Sequence, residues 1–304
     1  MSETTRESAP PRAVPLAELA ARHGLTVSGA RPSLSEYMRQ LWGRRHFIVA
    51  FSRAKLMAQY GQAKLGQLWQ VFTPLLNACV YFLIFGLLLG GRAGMTNREY
   101  IPFLVTGVFV FTFTQASVMA GVKSISGNLG LVRALHFPRA SLPIAFSLQQ
   151  LQQLLYSMII LVVIVVGAGH YPALTWLLVV PALALQLVFN AGLAMIMARL
   201  GSNTPDLAQL MPFILRTWMY GSGVMFPLRA MVEGRADGPS WVATVLEANP
   251  AAVYMDLIRY ALIDSDMHNA IPSTTWLFAL GWAVVVGVGG FLFFWKAEEK
   301  YGRG

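Results

Sequence analysis

The chain has 304 residues, 56% of them hydrophobic and 12% charged, with mean hydropathy +0.54 and a formal net charge of +9. A soluble domain carries roughly a quarter charged residues, so this is an integral membrane protein; its cations flank apolar runs without interleaved aromatic readout motifs, which excludes nucleic acid as the reason for the charge. The single cysteine, Cys79, excludes an intrachain disulfide and a cysteine-ligated metal centre.

Residues 1–32 are rich in Ala, Pro, Ser and Arg without sustained apolar periodicity and read as a flexible tail. No apolar core lies near Met1, so the first true span is expected to serve as the insertion signal. From Ser33 the pattern changes. Leu34, Tyr37, Met38, Leu41 and Trp42 recur at helical spacing, and Phe47, Ile48 and Phe51 continue after Gly43. Arg39, Arg44, Arg45, Arg53, Lys55 and Lys64 supply the polar side. Residues 33–68 therefore read as amphipathic helices in the inner membrane interface, apolar faces towards acyl chains and cations towards anionic headgroups. The plainer alternative is a basic flank of the first span.

Six segments reach the length of about 20 residues needed to cross roughly 30 Å of hydrocarbon: 71–90, 101–122, 143–168, 173–198, 207–227 and 276–295. An even number puts both termini on one side. On that side lie seventeen Lys and Arg, including Lys123, Arg133 and Arg139 in the bridge between the second and third spans; the other side has five, Arg92, Arg98, Arg229, Arg235 and Arg259. The positive-inside rule makes the termini and the bridge cytoplasmic.

The bridge, residues 123–143, is too short for a domain and too patterned for a bare connector. Leu129, Leu131, Val132, Leu135 and Phe137 can face one way while Arg133, His136 and Arg139 point elsewhere, and Pro138 stops any helix there. Beyond the fifth span, Trp241, Val242, Val245 and Leu246, then Asn249-Pro250, then Val253, Tyr254, Leu257 and Ile258 read as two short helices that dip into the outer leaflet and return, with Pro250 in the first turn of the second.

Chemistry-bearing residues are sparse. A phosphate loop with its Lys-Ser/Thr pair is absent, so ATP-driven work would come from a partner. Asp264-Ser265-Asp266 with His268 could hold a divalent cation, or be a solvated acidic loop. Arg216 sits inside the fifth span, where a charge costs roughly 2.5 to 3.5 kcal/mol unless it faces a wet cavity or a partner; an aqueous path and a hydrogen-bond anchor to Asn77, Gln115 or a carbonyl both remain open. Phe72, Tyr81 and Phe85 in the first span, and Trp218 and Tyr220 beside Arg216 in the fifth, are aromatic candidates for lining a sugar path. Most aromatics of the first, second and fifth spans, among them Phe103, Phe109, Phe111 and Phe113, are expected to pack or face lipid. Gln149, Gln150, Gln152 and Gln153 are expected to face protein or headgroups, and Gly86 and Gly90 make a spacing that permits close helix approach.

In this order, with Leu65-Gly66, Leu68-Trp69 and Pro74 at the first span, Phe137-Pro138-Arg139 and Leu142-Pro143 in the bridge, and Asn249-Pro250 in the outer segment, the chain resembles the ABC-2 type permeases over about residues 33–300. It is most similar to the polysaccharide-exporting branch, with its O-antigen, teichoic acid and galactan exporters. The resemblance implies an all-α integral membrane fold whose unit of residues 69–304 has six transmembrane helices. To these it adds an amphipathic interfacial helix, a cytoplasmic coupling helix at about 128–139 and two re-entrant extracytoplasmic gate helices at about 228–263. It implies a homodimer in the inner membrane with two ATPase subunits, which would bind ATP and Mg²⁺, exporting a lipid-linked polysaccharide. Leu131, Arg133, His136, Phe137 and Arg139 would meet the ATPase, Arg39, Arg44 and Arg45 would sit near the lipid pyrophosphate, the first and fifth spans would line the channel, and Trp241, Asn249, Pro250 and Tyr254 would belong to the gate. The permease itself would carry no catalytic residues, metal or cofactor. The tail before Pro32 is longer than is usual in that family. Other readings are an ABC-2 exporter of a small molecule or drug, and a polytopic glycosyltransferase or lipid-phosphate enzyme using Asp264, Asp266 and His268.

Overall fold

The computed structural model describes residues 32–59, 61, 64–88, 95–135, 137–227, 248–263 and 273–301. The N-terminal tail before Pro32, His136, Trp241 with the first expected outer helix, and Asp264, Asp266 and His268 lie outside these, as does the side chain of Phe85. Among the described residues all regular structure is helical: α1 (Leu34–Gly43), α2 (Arg45–Gln59), α3 (Trp69–Tyr81), α4 (Asn97–Lys123), α5 (Leu129–Ala134), α6 (Ser141–Gly167), α7 (Val179–Asn203), α8 (Leu207–Tyr220), α9 (Pro250–Leu262) and α10 (Ser273–Trp295).

Four of these are long and apolar enough to cross a membrane: α4, α6, α7 with the helical turn before it, and α10. The expected first and fifth spans take other forms. The first is α3, continued by a seven-residue π-helical stretch, Phe82–Leu88, rather than one uniform helix over 71–90. Pro74 interrupts α3 because it has no N–H for the carbonyl of Gln70; the Ser157 hydroxyl of α6 donates to that oxygen at 3.5 Å. The fifth, α8, has 14 residues and stops at Gly221, with Gly223 in the left-handed region at φ 70°, a conformation that glycine adopts without a Cβ clash.

Helix α4 is the hub. Its start is fixed by a capping box, Glu99 reaching back to the Thr96 N–H at 2.8 Å. From there Phe103, Phe109, Phe111 and Phe113 are buried among α6, α7, α8 and α9, so the aromatics of the second span are packing residues. Helix α7 lies along α4 on one side and α10 on the other. A Cβ on Gly192 would collide with the Val286 carbonyl, and one on Gly290 with the Gly192 carbonyl; this is backbone-to-backbone contact of the kind small residues allow in membranes. Gly86 and Gly90, by contrast, fall where no side-chain space is described.

The helix ends form two differently built layers. At the far end from the bridge, α9 wedges between α4, α7 and α10 and is buried on nearly every face. Tyr254 in its middle donates to the Ala279 carbonyl at 2.9 Å. At the bridge end, the two amphipathic segments expected within residues 33–68 form two helices, α1 and α2. α2 packs along α6, with Phe51 edge-on to Phe146, Gln149 donating to Gln59 at 3.1 Å and Gln152 to Ser52 at 3.2 Å. Those glutamines face protein, as their polarity within an apolar helix demands.

Candidate functional site

The bridge is shorter in helix and more firmly held than its sequence indicates. Between α4 and α6, a 3-10 turn at Ser126–Asn128 leads into an α-helix of only six residues, Leu129–Ala134, and Leu135 is already extended, three residues ahead of Pro138. The expected apolar face splits. Val132 is buried and Leu131 and Phe137 half-buried, while Leu129 and Leu135 are exposed beside Arg133. Phe137 packs against Phe47 of α2, ring centroids 5.4 Å apart. At the other end of the bridge Lys55 of α2 donates to Asn128 at 3.3 Å.

Arg139 is turned inwards rather than presented to solvent. Its backbone N–H donates to the Glu298 carboxylate at 3.0 Å and its guanidinium to the Glu298 carbonyl oxygen. The other carboxylate oxygen accepts the Tyr37 hydroxyl at 2.8 Å, and that hydroxyl in turn accepts the Ala140 N–H at 3.1 Å. Three segments, α1, the returning bridge and the turn after α10, therefore converge on one buried carboxylate. Burial pushes the Glu298 carboxyl above its usual range, and the Arg139 N–H and the Tyr37 hydroxyl pull it back. Around it Phe294 stacks on Tyr301 at 4.5 Å, and Trp295 donates to the Pro32 carbonyl at 3.2 Å. Glu298 was not singled out from the sequence: a Glu two residues past a span-flanking Lys reads as solvated, and a contact across 159 positions leaves no local signal.

Arg39, Arg44 and Arg45 are exposed, on α1, in the turn after it and at the start of α2. Arg39 pairs with Glu36 one turn away, and Arg45 donates to the Trp42 carbonyl at 3.2 Å with its guanidinium 5.6 Å from that indole centroid. Leu34, Met38 and Trp42 form an exposed stripe at four-residue spacing, Trp42 being 72% exposed. Apolar stripe and cations share one surface, the composition of an interfacial helix.

A second surface runs along α3 and α8. Arg216 and Tyr220 are exposed at i and i+4 on α8, and the Tyr81 hydroxyl of α3 reaches the Met219 sulfur, next to Tyr220, at 3.8 Å. Arg216 makes no hydrogen bond among the described residues, to Asn77, Gln115 or any carbonyl. Phe72 is exposed on the same side of α3 as Leu76 and Val80. Trp218 is not on this surface. Two residues along a helix is a 200° turn, so its indole points inwards, edge-on to Phe111 at 5.7 Å and donating to Asn249 Oδ1 at 2.9 Å. Asn249 caps α9 through the Ala251 N–H at 3.1 Å and donates to Ser222 at 3.1 Å, with Pro250 at the first helical position.

Arg259, counted as a loop cation from the sequence, is 1% exposed. Its guanidinium donates to the carbonyls of Phe103 (3.2 Å), Gly223 (3.1 Å) and Val224 (3.0 Å) and to Asp256 (3.2 Å), and lies 3.5 Å from the Phe103 ring centroid. It pins α9 and the turn after α8 to α4, and Gly107 leaves the room for it. Among the described residues no group of three His, Cys, Asp or Glu is placed to hold a metal ion.

Residues 46–263 match the model of the family described as ABC-2 type transporter. The O-antigen export system permease protein RfbA of Myxococcus xanthus is 25% identical over 237 residues, 77% of this chain and 87% of that protein. A protein of the same name from Klebsiella pneumoniae is 27% identical over 67% of this chain and 75% of its own length. The polysialic acid transport protein KpsM of Escherichia coli is 24% identical over 74% of this chain and 84% of its own.

Proposed function

Since this chain belongs to the ABC-2 type transporter family, we propose that it is the channel-forming membrane subunit of an ATP-driven exporter of lipid-linked polysaccharide, moving its cargo from the cytoplasm to the outer face of the inner membrane. The names of its relatives, export permeases for O-antigen and polysialic acid, support the polymer class. In this reading α3 with its π-helical extension and α8 with the turns after it join the four long helices to make six spans, and both termini and the bridge are cytoplasmic. Two copies face each other across α3 and α8. With no phosphate loop in the chain, a partner ATPase pair supplies the ATP and Mg²⁺ chemistry and docks on the bridge at Leu129, Leu131, Arg133 and Leu135. Arg139 and Phe137 act from behind, holding that surface in place. α9 and the outer segment before it form the gate.

The observation that carries the reading is Arg216. It is an exposed cation with no hydrogen bond among the described residues, and partway along an apolar helix such a charge is costly against lipid and tolerable against water or a polar partner. With Tyr81 and Tyr220 beside it, it gives a wet, aromatic, cationic wall suited to sugars and phosphate. Replacement of Arg216 by Ala should abolish surface display of the glycan in intact cells while the protein level and ATPase co-purification stay unchanged, and Lys should restore part of it. Deletion of the gene should leave the lipid-linked glycan inside the cell. An unaltered surface glycan after deletion would overturn the proposal in favour of a small-molecule cargo.

A further inference from the structure

We propose that the groove between α2 and α6 is a binding site for an anionic membrane glycerophospholipid, its phosphate on Arg53 and an acyl chain along Leu155 and Ile159. The groove has a volume of about 510 Å³ and is made by these two helices alone, within the size range of about 300–1,000 Å³ typical of small-ligand pockets. Its two ends differ in chemistry. At one, Arg53 is exposed and has no hydrogen-bond or ion-pair partner among the described residues. Beside it Gln152 spends its amide N–H on Ser52, at 3.2 Å. At the other, Leu155, Ile159 and Met57 are exposed, and the apolar face of α6 runs on through Val162 and Val163.

This face belongs to a membrane-crossing helix, so lipid, not water, is its neighbour. An acyl chain alone would satisfy Leu155 and Ile159 but leave Arg53 facing hydrocarbon uncompensated. A phosphate neutralises it through charge-assisted hydrogen bonds to the guanidinium. A second copy of the chain is a poor occupant: neither α2 nor α6 carries an acidic residue, so a two-fold contact of this face with itself would bring Arg53 no carboxylate partner. A pyrophosphate carrier is a poor one too, because the groove offers a single cation. The nearest other, Lys55, is committed to Asn128 and lies over the rings of Phe51 and Phe146 at 5.3 and 5.8 Å.

The test uses the full chain in phosphatidylcholine nanodiscs with a trace of photoreactive phosphatidylglycerol, mapping the labelled residues. The wild-type protein should be labelled on α6 around Leu155–Ile159, and a phosphatidylcholine probe should label that site weakly. Arg53→Ala should lower the phosphatidylglycerol signal about tenfold, the loss of one charge-assisted contact. Ile159→Trp, which fills the groove from an exposed position, should lower it with the unfolding temperature unchanged. Equal labelling by the two probes, or full labelling of Arg53→Ala, would mean non-selective solvation and overturn the proposal. Displacement of the probe by equimolar polyprenyl pyrophosphate would overturn it in favour of that lipid.

Discussion

Trp218 and Asn249 are joined by a 2.9 Å hydrogen bond from indole N–H to side-chain carbonyl, which closes the end of α8 onto the start of α9. Asn249 also caps α9, so one side chain fixes the angle between the two helices.

Asn249→Ala should therefore cost more than an exposed cap, which is worth about 1 kcal/mol; with the Trp218 and Ser222 bonds lost as well, about 2 to 3 kcal/mol is expected. Asn249→Asp keeps both acceptor roles and should recover most of it. Thermal unfolding in one detergent checks both, and equal losses for Ala and Asp would refute the shared-acceptor account.

Arg259→Met is expected to destabilise by about 3 kcal/mol or more, because three buried carbonyls lose a donor at once and each unmade bond costs about 1–3 kcal/mol. Lys should not rescue, since a single ammonium cannot reproduce the planar fork. The readout is the unfolding midpoint together with protease cleavage after α8, where Gly223 and Val224 are released.

Glu298 gives a pH signature. A carboxyl whose folded value is raised above 4.5 takes up a proton on folding between 4.5 and that raised value. Its contribution to stability therefore falls as pH rises through this window and stays low above it. Wild-type protein should lose stability relative to Glu298→Gln as the pH is taken from 4.5 towards neutral. A difference independent of pH would mean that burial does not govern this carboxyl.

The bridge offers a contrast between neighbours. Leu135→Glu lies on the exposed side and should spare folding while weakening ATPase co-purification; Val132→Glu puts a charge into a buried site and should reduce the amount of folded protein. Retained co-purification with Leu135→Glu would move the docking surface elsewhere.

Gly192→Ala and Gly290→Ala should each destabilise by about 1–3 kcal/mol or prevent folding, since the added methyl meets a carbonyl of the facing helix rather than a mobile side chain. Gly127→Ala, where nothing lies within 4 Å, is the matched control.

What the sequence made legible follows from periodicity and length. The apolar runs that became α4, α6, α7 and α10 could be placed within a few residues, because membrane crossing demands a long uniform stretch. The α1 stripe and the Asn249-Pro250 helix start were equally plain, the latter because Asn and Pro at these positions have few other uses. The capping box at Thr96 and Glu99 is legible in the sequence as a Thr followed three residues later by Glu. Arg259 was misread for a physical reason: a cation near an outer turn is ordinarily solvated, and only the convergence of Phe103, Gly223 and Val224 carbonyls makes burial tolerable. Arg139 and Trp218 turned out inward for the same reason. Their partners, Glu298 and Asn249, lie on other segments, and facing direction within a short or broken helix is set by those partners rather than by local pattern.

The clasp of Glu298 on Arg139 and Tyr37 also orders the molecule in time. The bridge is made after α4 but its latch comes from beyond α10, 159 residues later, and a ribosome adding about 5–20 residues per second leaves the bridge without its latch for roughly 8 to 30 seconds. Only a chain synthesised past residue 298 can close this clasp, so the bridge takes its finished hold on α1 after the last helix has been made.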